Sequence, residues 1–139
     1  MSTAQSDIRS AIIQRYKNAA LSVPTAYPNA QFTEPDSSSP FIRLFVMVSD
    51  SVPATLGTSG QDRHDGLLQL HLMYPANEGE GDAVSMADTL LSWFRAGMVE
   101  TYNGQDVYFL GGSRSPGQIE EGRWRITLNI RWYAFSLRS

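Results

Sequence analysis

The stretch RWRITLNIRWYAF, residues 123–135, decides the fold class. Trp124, Ile126, Leu128, Ile130, Trp132 and Ala134 alternate with Arg123, Arg125, Thr127, Asn129, Arg131 and Tyr133. Successive side chains of a strand point to opposite faces, so this alternation puts one apolar face on a core and leaves one polar face outside. An antiparallel sheet covered on a single side has this pattern.

Two more strands lie upstream. GLLQLHLMY (66–74) sets Leu68, Leu70, Leu72 and Tyr74 on one face and Leu67, Gln69, His71 and Met73 on the other. FIRLFVMV (41–48) is apolar throughout except for Arg43, which fits a strand covered on both faces or an interface strand. Between them SDSVPATLGTSGQDRHD (49–65) reads as a long, polar, flexible connection, making a hairpin with an extended tip. A second hairpin is predicted in MVETYNGQDVYFLGG, because Asn103 and Gly104 both tolerate φ > 0. Gly111-Gly112-Ser113-Arg114 then reads as a loop between strands.

Helical spacing appears twice. Ile8, Ala11, Ile12, Tyr16 and Ala19 share one face, with Ser6 as N-cap and Asp7 at the positive end of the dipole. A second helix is predicted over about 83–96, striped by Val84, Ala87, Leu90, Leu91 and Phe94, capped by Asp82 and stopped at Gly97. Residues 21–40 hold four of the seven prolines and form a long loop, its Tyr27 and Phe32 pinned against the body. The order α-β-β-α-β-β-β predicts one α+β domain over residues 1–139. Its sheet is antiparallel or mixed, of about five strands, with two helices packed on one face.

Composition narrows the function. A chain of 139 residues with 42% hydrophobic and 18% charged residues can bury a core without disulfides or metal. There is no cysteine, which removes thiol nucleophiles and cysteine-ligated metal sites. A net charge of −3 argues against nucleic-acid binding driven by bulk charge. The charged stretch at the N-terminus does not resemble a signal peptide, and no apolar run approaches a membrane span, so a soluble product is expected. Ten arginines stand against one lysine, Lys17, and Arg is the cation favoured in ion pairs and interfaces. Residues 1–110 carry 6 basic and 12 acidic side chains, whereas 111–139 carry 5 arginines and 2 glutamates. The acidic body and basic end suggest that unlike patches of two copies meet.

A search for chemistry finds little. Asp62, His64, Asp65 and His71 contain ligand and base types, but they fall in or beside a flexible tip, whereas a site needs rigid support. Asn77, Glu78, Glu80 and Asp82 lack the full calcium-loop spacing and read as a polar turn before a helix. No serine has the nucleophile-elbow pattern. No catalytic, cofactor or metal residue is assigned. Arg123, Arg125 and Arg131, with Tyr133, occupy the polar face of the last strand and admit a subunit interface, pairing within the subunit, or tracking of phosphates. Arg beside Tyr favours the interface.

The order of elements resembles the tail-terminator (tail-completion, minor tail U-like) proteins of long-tailed bacteriophages. The stretch TLGTSGQDRHDGLLQLHLMYPANEGEGDAVSMADTLLSWF carries most of the likeness, through Leu56-Gly57, Gly66, Pro75, Gly81, Ala87-Asp88 and Phe94. The resemblance implies a non-enzymatic virion protein made in the host cytoplasm, a ring, usually a hexamer, at the head-proximal end of the tail tube. Such a ring ends tube polymerisation, offers a surface to head-completion proteins and lets DNA pass through its lumen unread. On that basis Arg123, Arg125, Arg131 and Tyr133 are expected at the subunit interface. Leu56, Gly57, Asp62, Arg63, His64 and Asp65 are expected to touch the tube protein. The alternatives are a head-side connector ring, or a small ligand-binding or enzymatic domain with a polar pocket.

Overall fold

Most of the connection expected between the first two strands is itself strand. The computed structural model describes residues 3–19 and 23–138. Their order is α1 (Ala4–Asn18), β1 (Thr25–Ala26), β2 (Phe41–Pro53), β3 (Gln61–Pro75), α2 (Gly81–Trp93), β4 (Val99–Tyr102), β5 (Gln105–Arg114), β6 (Gln118–Glu120) and β7 (Arg123–Leu137). The sheet runs β1-β2-β3-β7-β5-β4, with β6 beside β7. It has seven strands rather than about five, because β1 and β6 are too short to show a period in sequence. β1 is parallel to β2, so the sheet is mixed and the α+β class stands.

The core forms on one side of the two longest strands. β3 and β7 pair from Gln61 opposite Leu137 to Pro75 opposite Arg123. Leu68 faces Ile130, Leu70 faces Leu128 and Leu72 faces Ile126, all fully buried. Ile42 and Leu44 of β2 and Val107 and Phe109 of β5 extend that surface. Ile8, Ala11, Ile12 and Tyr16 of α1, Ala83, Ala87 and Leu90 of α2, and Phe94 belong to the same cluster. α1 lies against β4 and β5, and α2 against β7, β3 and β5.

Several boundaries differ from expectation. β2 and β3 stay paired past a bulge after Val48, through Asp50 opposite Asp65 to Pro53 opposite Asp62. Asp62, Arg63, His64 and Asp65 are therefore strand residues, and the tip shrinks to residues 54–60. That tip is fastened as well: Arg138 donates to the carbonyls of Gly57, Gln61 and Thr55 and pairs with Asp62 at 2.5 Å. Gly111 to Arg114 lie in β5 against β7, with the bend supplied by a bulge after Phe109 and φ +84° at Gly111. α1 begins at Ala4, so Ser6 is inside it; Thr3 precedes it and its hydroxyl donates to Asp7 at 2.8 Å. α2 starts at Gly81, leaving Asp82 in the first turn rather than at the cap, and stops at Trp93. The Asn103-Gly104 turn forms as read, with φ +51° and +79°. Tyr27 packs on the core and Phe32 on Phe41 at 5.4 Å; Leu21 and Ser22 of the same loop lie outside the described residues.

Gly66 sits where two strands and a ring converge. A Cβ there would lie 2.2 Å from Cζ2 of Trp132 and 2.3 Å from the Met47 carbonyl oxygen. Ring and backbone would both have to move, so Gly66→Ala is expected to cost about 3 kcal/mol. An unchanged denaturation midpoint in urea would contradict this packing.

Candidate functional site

The face of the sheet opposite the core is the surface that these elements leave open. Odd positions of β3 and β7 share it: Arg63 opposite Phe135, Asp65 opposite Tyr133, Leu67 opposite Arg131, Gln69 opposite Asn129 and His71 opposite Thr127. Most are half-buried among themselves, and Arg131 is exposed. The predicted interface residues Arg123, Arg125, Arg131 and Tyr133 all lie on this face, in different states.

Arg123 is used inside the chain. It is 2% exposed, and its Nε donates to Glu34 at 3.0 Å. Nη1 donates to the Ser39 carbonyl at 2.6 Å, and Nη2 to those of Pro35 and Asp36 at 2.8 and 2.7 Å. The guanidinium also stands 4.8 Å from the centroid of the Phe41 ring. One side chain thus fastens the proline-rich loop, and the intrachain pairing open in the sequence is what the structure gives this arginine. Arg125 pairs with Glu120 at 2.9 Å, and Arg43 reaches the same carboxylate at 2.5 Å. Arg131 has no ion pair among the described residues. Tyr133 stacks on Tyr108 at 5.1 Å, meets Phe135 edge-on at 5.9 Å and carries the Arg63 guanidinium 4.4 Å above its ring. This arginine–aromatic group has the composition of an interface centre.

The histidines part company. His64 is buried on the core side, between the Ser51 hydroxyl at 2.8 Å and the Ser136 hydroxyl at 2.7 Å. His71 lies on the open face beside Gln69 at 3.2 Å, with its Nδ1 unpartnered. Burial holds its pKa below 6.5, aided by Arg43 and Arg125 and opposed by Glu120. The pleat therefore separates Asp62 and His64 from Asp65 and His71. Among the described residues no three His, Asp or Glu gather as a metal site. A hollow of about 350 Å³ is lined by Asn77, Gly79, Glu80, Ile119 and Trp124, without the convergent polar groups of a substrate site. At the hairpin tip Leu56 is 92% exposed, an apolar side chain held out beside Gly57. Sequence reasoning missed Arg15, whose Nε donates to the Trp93 carbonyl at 2.6 Å and whose Nη1 pairs with Glu100 at 3.0 Å. Its position seven residues after Ile8, on the buried stripe, was the available signal.

A family model described as phage tail terminator protein matches residues 7–132, spanning both helices and the sheet up to Trp132. The chain belongs to the phage tail terminator family. That is a family of structural proteins of the phage tail, which makes the chain a virion component. The fold has independent support: a solved structure, 21% identical, superposes with a TM-score of 0.78 over 97% of each chain. No curated protein matches the sequence. No helix among the described residues is long and apolar enough to cross a membrane.

Two predictions test this face. Arg123→Ala should speed proteolysis within residues 33–40 and lower stability by about 3 kcal/mol, since the loop loses at once the guanidinium that holds the Pro35, Asp36 and Ser39 carbonyls; protease mapping and a melt check both. His71 should make stability pH-dependent in a known sense. Below pH 6.5 the unfolded chain takes up a proton that the folded site resists, so stability falls until the folded pKa is reached. His71→Gln should flatten that part of the curve, and an unaltered slope just below pH 6.5 would contradict the assignment.

Proposed function

We propose that the chain assembles as a ring, a hexamer, on the head-proximal end of the tail tube, ends tube polymerisation there and presents the surface to which the head-completion protein binds. The family match over residues 7–132 carries this reading. The open sheet face agrees with it: a half-buried arginine–aromatic centre with an exposed arginine beside it suits contact with another protein better than contact with water. The net charge of −3 suits a lumen through which DNA slides without being held.

Within the predicted interface the available part is Arg131 with Tyr133, because Arg123 and Arg125 are paired inside the subunit. In the predicted tube-contact region, Leu56 and Gly57 form the projecting tip. Arg63 and Asp65 are on the open face, and Asp62 and His64 support the hairpin from within.

Arg131→Glu is expected to weaken ring formation at least tenfold at about 0.1 M salt while leaving the melting temperature in place. Light-scattering mass against concentration reads the effect, and a variant that assembles like the parent chain removes Arg131 from the interface. Co-sedimentation tests the location. The protein should travel with purified tails; recovery with filled heads alone would make it a head-side connector instead.

A further inference from the structure

The edges of the sheet carry information that its faces do not. β1 covers β2 at Ile42 and Arg43 alone. The Ile42 N–H donates to the Pro24 carbonyl at 2.9 Å, which fixes the side to which alternate backbone groups of β2 point. Leu44, Val46 and Val48 therefore turn their N–H and C=O groups away from β3, and no described strand receives them. Met47 and Val48 are 37% and 42% exposed. Edges exposed to solvent are usually blunted by lysine or proline. β2 has no lysine, and Pro53 lies at its far end.

The other side of the sheet has a matching gap. β5 is covered as far as Phe109, whose N–H and C=O meet Met98 and Gly97. Gly112, Ser113 and Arg114 beyond it are exposed. Each strand is antiparallel to the next from β2 through β3 and β7 to β5, so β2 and β5 run in opposite directions. A second copy rotated about an axis near the strand direction brings its β5 beside β2 antiparallel, with no reversal. Contacts between unlike edges of this kind can close rings. Opposite charges are available on the two strands, since Asp50 of β2 and Arg114 of β5 have no ion pair among the described residues.

We infer that Leu44–Val48 is the edge to which β5 of a second copy adds, so that the sheet continues from subunit to subunit. The inference rests on the ring reading above and supplies its backbone contact. Hydrogen exchange tests it on the unmodified chain, followed across a concentration series with mass read by light scattering. The amides of Leu44, Val46, Val48, Gly112 and Arg114 should exchange freely in the monomer and at least about tenfold more slowly in the assembly. Val48→Pro removes an outward N–H and no bond to β3, so it should keep the parent circular dichroism and weaken assembly at least about tenfold. If that variant misfolds, the exchange data decide. Assembly with all these amides unprotected overturns the edge pairing and leaves the ring. Protection of 44–48 without 112–114 means that β2 pairs with β2, which overturns the head-to-tail arrangement. A chain that stays monomeric to about 1 mM overturns self-pairing and self-assembly together.

Discussion

The register between β3 and β7 fixes both faces of the sheet at once. Leu68, Leu70 and Leu72 meet Ile130, Leu128 and Ile126 on the core side, and the residues between them are thereby committed to the other side. A slip of one residue would turn every buried leucine outward. Gly66 guards against it, since only a residue without a Cβ leaves room for Trp132 at that crossing. The two helices, the proline-rich loop and the open face all take their positions from this ladder.

Arginine supplies the second layer of order. Arg15, Arg123 and Arg138 each hold carbonyl oxygens of segments remote in sequence, and each has a carboxylate beside it. A planar group with five donors can fasten several strands of backbone at once, which an ammonium cannot do with the same geometry. The excess positive charge of the C-terminal segment is thus largely committed within the subunit. Arg114 and Arg131 are the members of that segment left without an ion pair among the described residues.

What the sequence made legible followed burial. The helical stripes, the alternation in β7 and the Asn103-Gly104 turn could be read because each is a local pattern with one physical cause. The outer halves of β2 and β3 could not, since beyond Val48 β2 is exposed on both faces and its Ser49, Asp50, Ser51, Val52 and Pro53 show no apolar alternation. The turn at Glu121-Gly122 has φ +51° and +77°, the same geometry as Asn103-Gly104, yet Glu is not a residue that advertises a left-handed backbone. Pairing partners were harder still. Arg123 finds Glu34 across 89 positions, and no spacing rule reaches so far. The open face was legible as polar, but not which of its arginines were spoken for.

Arg138 lies just beyond β7, and its backbone N–H donates to the Gly60 carbonyl at 2.9 Å while its guanidinium grips Gly57. The presentation of Leu56 is therefore controlled from a residue more than half the chain away. A purification tag or label joined after Leu137 would act on that distant loop. The choice of fusion site would therefore itself bias any measurement of what the tip binds.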